Sequence, residues 1–233
     1  MIASHFVDVG YPDISIQEVD GSDLLGLDKV YDRPQTRLYY WDYKLQGYIN
    51  YGWFNQTDGD YAEDPSLNSK WVDTLTLSKA ATELFIPGEG FWIETPLSGD
   101  PTTVLIAGEV VTSNTFNVVV KPGLNLISNP FPTKINIQNI DGVNLLGLDR
   151  TYDRAQTLIN IWDYDRYGYV NYGWFNSTDG DYAEDSSLNS KWVDTLTLSK
   201  AGTIDIEVGA SFWVILPTSA QSATITFNCP NLY

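Results

Sequence analysis

The densest chemistry in the sequence is carboxylate. Thr57-Asp58-Gly59-Asp60-Tyr61-Ala62-Glu63-Asp64 places four carboxylates within seven residues, and the same eight residue types return from Thr178 to Asp185. Asp58, Asp60, Glu63 and Asp64, and again Asp179, Asp181, Glu184 and Asp185, supply the density of hard oxygen ligands that Ca²⁺ uses, with a glycine to let the chain turn. The spacing differs from the EF-hand loop, which needs Gly at its sixth position and Glu at its twelfth. A solvated surface loop, whose Asp and Asn side chains cap turns, fits the same residues. Ca²⁺ is the one cofactor the sequence suggests.

Paired carboxylates also raise hydrolysis. Asp73-Thr74 and Asp194-Thr195 occupy equivalent places in two halves of the chain. An aspartic-protease dyad needs two such carboxylates at close range, so that one proton is shared. Leu75 and Leu196 stand where that family needs glycine, so an Asp bonded to nearby backbone amides or to the Trp71 indole is the simpler expectation. Glycoside hydrolysis needs two carboxylates facing one cleft, and nothing in the spacing favours it. Ser-His-Asp chemistry would have to use His5, the single histidine, at the extreme N-terminus. One Cys and one His leave no zinc site. The sequence therefore reads as non-enzymatic.

The aromatic residues offer binding instead. The chain holds 15 Tyr, 9 Phe and 8 Trp. Tyr39, Tyr40, Trp41, Tyr43, Tyr48, Tyr51, Trp53 and Phe54 exceed what one face of a sheet can bury, because alternation turns some of them outward. Exposed Tyr and Trp present flat apolar faces with a polar handle, suited to sugar rings or to another protein. Tyr43, Tyr48 and Trp53, with Tyr164, Tyr169 and Trp174 in the second half, are the candidate ligand-binding set. Cross-strand aromatic pairing that merely stabilises a sheet face accounts for the same residues.

Charge narrows the partners. Thirteen Lys plus Arg stand against 30 Asp plus Glu, a formal net charge of −17. That field repels polyphosphate and anionic membrane surfaces, so nucleic acid is not an expected partner. No apolar run reaches the eighteen or so residues of a membrane span. The first residues lack the basic and apolar regions of a signal peptide. The sequence is rich in Tyr, Trp, Asn, Thr and Gly and poor in Lys and Cys. This suits an extracellular or cell-surface bacterial protein whose signal lies outside this numbering.

The elements that must position these groups come twice. Tyr51 to Lys79 returns as Tyr172 to Lys200 with only Gln56 and Pro65 changed, to Ser177 and Ser186. About two-thirds of positions match between Asp20–Ile93 and Asp141–Val214. A period of roughly 120 residues exceeds the about 20–50 of solenoids, so each unit is expected to be a domain, 1–111 and 112–233. The β-branched and aromatic runs at 38–43, 48–54, 71–77, 90–95 and 102–107 read as strands, each bounded by Gly, Pro, Asn or Asp. Phe116, Val118 and Val120 alternate, and 124–128 forms a further apolar strand. Lys44 to Gly47 and Asp165 to Gly168 read as hairpin tips. Residues 14–19 and 135–140 fit a helical turn or a strand. The expected fold is all-β, two tandem sandwich or barrel-like domains.

Gly123-Leu124-Asn125-Leu126-Ile127-Ser128-Asn129-Pro130-Phe131-Pro132, followed by Ile135-Asn136-Ile137, Trp162-Asp163 and Phe212-Trp213, resembles a repeat of bacterial surface and secreted proteins. In those proteins a Gly-Trp-Asn-Leu-Ile-x-Asn-Pro-x-Pro segment precedes Trp-Asp and then Gly-Gln-Gly-Phe-Trp. Gly88-Glu89-Gly90-Phe91-Trp92 gives the closer form of the last motif, whereas Leu124 stands in place of Trp and Ala210-Ser211 replaces Glu-Gly. The resemblance implies an extracellular β-rich module and brings no catalytic residues.

The two ends look unequal. Two strands precede the second unit, whereas only Phe6 to Val9 precedes Tyr11-Pro12 in the first. An open strand edge is a template for another chain. The expected function is thus a structural or adhesive surface protein that contacts further copies of itself or other surface proteins, head to tail into a fibre or layer. The alternative is a carbohydrate-binding module using exposed Tyr and Trp, with or without Ca²⁺, and polysaccharide as its partner.

Overall fold

The computed structural model describes residues 2–3, 14–21, 24–28, 33–55, 64–85, 88–96, 113–142, 145–149, 154–163, 166–176, 185–198 and 201–229. The fold is all-β, built from antiparallel sheets joined by short 3₁₀ turns.

In the first repeat, β1 (Ile2–Ala3), β2 (Arg37–Asp42), β3 (Gly47–Phe54), β4 (Lys70–Asp73) and β5 (Phe91–Glu94) form one sheet in the order β1-β5-β2-β3-β4. The strand period of two sorts the aromatic run of β2. Leu38 and Tyr40 pack into the core of the first repeat, while Tyr39, Trp41 and Tyr43 pack on the opposite side. The expected hairpin tip is present. Asp42 accepts hydrogen bonds from the N–H groups of Lys44 and Leu45 at 2.7 and 2.9 Å, and Gln46 takes a left-handed φ of +48° to complete the turn.

The strand expected over 71–77 stops at Asp73. Asp73 accepts the N–H groups of Leu75 and Thr76 at 2.7 and 3.2 Å, which converts the next residues into a turn and leaves Leu75 93 % exposed. Asp194 does the same for Leu196 and Thr197. These carboxylates therefore shape loops by holding nearby backbone amides, and the Trp71 indole donates elsewhere, to the Val19 carbonyl.

The ambiguous segments at 14–19 and 135–140 turn out to be both things: short strands Ile14–Ser15 and Ile135–Asn136, each running into a 3₁₀ turn. Gln17 and Gln138 lock these turns to the sheets. Gln17 Nε2 donates to the carbonyls of Trp71 and Ala81, and its Oε1 accepts from Trp71 N–H; Gln138 repeats the pattern on Trp192 and Gly202.

The second repeat adds a layer. β7 (Gly123–Ser128), β9 (Leu158–Asp163), β10 (Gly168–Phe175), β11 (Lys191–Asp194) and β12 (Ser211–Leu216) form a sheet in the order β7-β12-β9-β10-β11. Opposite it lie β6 (Thr115–Val120), β8 (Ile140–Asp141) and β13 (Ala223–Asn228), in the order β6-β13-β8. Phe116, Val118 and Val120 alternate inward as expected and meet Phe212, Val214 and Phe227 in a sandwich core. The strand expected at 102–107 lies outside the described residues.

The ends are less open than the sequence suggests. Ile2 and Ala3 pair with Ile93 and Trp92, the place that Asn125 and Leu126 hold beside Val214 and Trp213 in the second repeat. β13 is paired along both edges, by β6 and by β8, and Cys229 N–H donates to the Asn114 carbonyl. The segment 6–9 lies outside the described residues.

Candidate ligand cleft at the seam between the repeats

Two motifs singled out in the sequence, the 123–132 run and Gly-Glu-Gly-Phe-Trp at 88–92, meet each other. β7 pairs with β12 along one edge, and along the other it reaches the first repeat, where Ile127 lies opposite Glu89. Gly90 N–H donates to the Leu126 carbonyl at 3.0 Å and Ser128 N–H donates to the Gly88 carbonyl at 3.1 Å. A side chain at Gly90 would collide with Ser211 and Leu126, so the close approach of the backbones requires glycine there. The motif's asparagines hold β7 rigid. Asn125 donates to the carbonyls of Lys121, Gly123 and Val214 and accepts from Lys121 N–H, and Asn129 binds Thr133, Ile206, Glu207 and Phe131 in the same manner. Both are buried and fully engaged, which is how a buried amide is tolerated.

The hairpin tip of the first repeat closes the seam. Gln46 Oε1 accepts from Leu124 N–H at 3.0 Å, over Gly123 in the left-handed region at φ +95°. Trp41 Nε1–H donates to the Leu124 carbonyl at 2.9 Å, and its ring meets Trp213 edge-on, with centroids 4.8 Å apart. Trp41, Trp92, Leu126 and Trp213 form a small buried core of their own, distinct from the cores of the two repeats.

Beside this core the two sheets leave a recess of about 330 Å³, lined by Tyr39, Tyr48, Trp92, Glu94 and Tyr169. Its size is at the small end of the range for ligand pockets. Tyr48 and Tyr169, equivalent positions of the two repeats, are 42 % and 45 % exposed and present their rings to the opening. Each is held by a tryptophan: the Trp92 side chain hydrogen-bonds the Tyr48 hydroxyl, and Trp213 Nε1–H donates to Tyr169 Oη at 3.3 Å. Tyr48 also packs edge-on against Tyr39, Trp41 and Trp213. Among the described residues the polar edge comes from the first repeat, where the Tyr39 hydroxyl donates to Glu94. Burial, and then the Glu94 carboxylate, raise the Tyr39 phenol above its ordinary value; burial pushes Tyr48 up to about 12. Both phenols are therefore neutral hydrogen-bonding groups at neutral pH. Aromatic rings beside one carboxylate can stack on a flat, weakly polar ligand and accept hydrogen bonds at its rim.

The sequence-derived residues divide. Tyr48 and Tyr169 line the recess. Trp53 and Trp174, expected as ligand contacts, are core residues, 4 % and 3 % exposed. Each packs over a glycine, Gly21 or Gly142, where no side chain fits, and against Trp71 or Trp192. They fall in the halves of β3 and β10 that are buried on both faces, so alternation no longer turns any residue outward. Tyr43 is packed in the seam core, its hydroxyl 3.5 Å from the Leu126 carbonyl, with Lys121 Nζ over its ring. Tyr164 lies outside the described residues.

Of the carboxylates considered for Ca²⁺, Asp58, Asp60, Glu63, Asp179, Asp181 and Glu184 lie outside the described residues. Asp64 and Asp185 are N-caps of the 3₁₀ turns Pro65–Leu67 and Ser186–Leu188, each accepting from the N–H and hydroxyl of Ser66 or Ser187. Among the described residues no three metal-ligating side chains converge.

Sequence reasoning missed Tyr39, Trp92 and Glu94 as one group. The signal was available as a contrast, because Tyr39 and Glu94 are replaced by Asn160 and Ile215 in the other repeat. No helix among the described residues is long and apolar enough to cross a membrane. No protein-family model, curated protein or solved structure matches the chain.

Proposed function

We propose that the chain is a non-catalytic adhesive protein of the extracellular surface that attaches to polysaccharide through the cleft between its repeats. The observation that carries this reading is the pairing of half-exposed Tyr48 and Tyr169 across the seam, with a carboxylate at its rim. Exposed rings of this kind are costly to leave in water and match the apolar faces of sugar rings. The employment of Asp64, Asp73, Asp185 and Asp194 as caps and turn formers supports a role without catalysis. The surface-protein resemblance and the acidic, Lys-poor composition support the location.

Affinity electrophoresis through gels containing neutral plant, fungal or bacterial polysaccharides tests it. Retardation of the wild type that is lost in Tyr48→Ala and Tyr169→Ala is the expected result, with near-UV circular dichroism verifying that both variants fold. Tyr169→Phe, which keeps the ring, should retain most of the retardation. Migration unaffected by every polysaccharide would overturn the proposal.

A second reading, head-to-tail self-assembly, is favoured by one observation. The hairpin tip that clasps β7 in the first repeat recurs in the second with Tyr167 at φ +49° and 83 % exposed. Sedimentation at high concentration tests this reading; a single monomeric species removes it.

A further inference from the structure

We propose that Glu94, oriented by Tyr39, is the specificity-determining group of the cleft: it fixes the hydroxyl rim of an uncharged saccharide, excludes acidic ones, and limits the chain to one such site. This inference rests on the cleft being a saccharide site.

The repeat supplies its own control. The two sheets have the same strand order, so each position on β2 and β5 has a counterpart on β9 and β12. Trp92 and Trp213 are counterparts, as are Tyr48 and Tyr169, and each pair is hydrogen-bonded alike. The aromatic walls of the recess are therefore contributed by both repeats. The polar rim is not. Tyr39 lies opposite Trp92 and Arg37 opposite Glu94 on the β2–β5 pair, which makes Tyr39 and Glu94 diagonal neighbours on one face. The corresponding diagonal in the second repeat is Asn160 and Ile215, beside Trp213. An isoleucine can accept no hydrogen bond. Two repeats that share about two-thirds of their residues over this region thus differ at both rim positions, and among the described residues Glu94 is the one carboxylate that reaches the recess.

Glu94 is set to accept rather than to react. The Tyr39 hydroxyl is bonded by Arg37 and itself donates to one oxygen of the exposed Glu94, a relay that holds the carboxylate in place with lone pairs left to accept further donors. A carboxylate can take two hydroxyl donors, the pattern that adjacent hydroxyls on a sugar ring provide, and charge-assisted bonds of this kind are about twice as strong as neutral ones. Among the described lining residues there is one carboxylate and no cation; the Arg37 guanidinium stands behind the rim, on the Tyr39 hydroxyl. On a chain of formal charge −17, a uronate or other acidic sugar would meet like charge at the rim and in the wider field.

Calorimetric titration of the full chain with neutral gluco-, manno-, xylo- and N-acetylglucosamine oligosaccharides, and with oligogalacturonate, tests the inference. The expected results are one site per chain for a neutral oligosaccharide, no binding of oligogalacturonate, and a loss of about tenfold in neutral affinity for Glu94→Gln, the gap between a charged and a neutral acceptor. Tyr39→Phe should weaken binding by less, since it frees the carboxylate without removing it. Neutral binding that is unchanged in Glu94→Gln, or that titrates to two sites per chain, would overturn the role of Glu94 and leave the saccharide reading standing. Acidic oligosaccharides that bind as well as neutral ones would do the same. Absence of binding to every oligosaccharide at millimolar concentration would overturn both.

Discussion

The stretches Tyr51–Lys79 and Tyr172–Lys200 and the faces that meet at the seam behave in opposite ways. The described parts of the near-identical stretches fold alike down to single hydrogen bonds: Trp71 and Trp192 donate to the carbonyls of Val19 and Ile140 at 3.0 and 2.9 Å, and Asp73 and Asp194 close the same turn. The seam takes equivalent residues and gives them different work. Trp41 is buried against the second repeat and hydrogen-bonded to it, whereas Trp162 is only half-buried and pairs with Tyr169 of its own repeat. Gln46 clasps β7, whereas Tyr167 extends into solvent. Sequence identity reports the shared scaffold; the differences mark where the two copies meet.

The largest expected effect breaks this asymmetry at Trp41. Trp41→Ala removes a buried indole and its bond to Leu124, and should cost about 3–5 kcal/mol in urea denaturation. Trp162→Ala should cost clearly less, and equal losses would show that the seam does not distinguish the copies. Gly123→Ala comes next. A methyl group there would overlap the Gln46 side chain on a backbone held at φ +95°, and about 1–3 kcal/mol should be lost. Adding Gln46→Ala should restore the steric part and leave the backbone part.

Tyr48 is neutral when protonated and its folded value is raised, so its contribution to stability is complete below the ordinary phenol value near 10 and declines as pH rises through about 12. Phenolate absorbance should show a late-titrating fraction in that window, accompanied by a falling denaturation midpoint. The smallest effect is expected where the copies agree but nothing is packed. Leu75→Asn and Leu196→Asn, at side chains 93 % and 92 % exposed, should each change stability by under about 0.5 kcal/mol in the same denaturation series.

Much of the fold is legible in the residues. Alternation in 115–120 and the aromatic runs of 38–43 and 48–54 give strands within a residue or two of those observed, because a half-buried sheet imposes a period of two on any sequence that forms it. The error over 71–77 has a local cause: the Asp side chain competed for the backbone amides and won, ending the strand at Asp73. The errors at Trp53 and Trp174 have a distant one. Whether an outward face meets solvent or another layer depends on residues far away in sequence, here the glycines at 21 and 142.

The sequence by itself determined the all-β class, the repeated stretch, the turn residues and the acidic field, since each follows from local propensity, periodicity or composition. Only the tertiary structure decided which aromatic residues stay exposed. It brought the 88–92 motif against the 123–128 strand, and it set Glu94 beside Tyr169, 75 positions away in the chain. Side-chain alternation states that a residue faces outward. What lies outside is set by how two sheets pack, and that is a property of the whole chain.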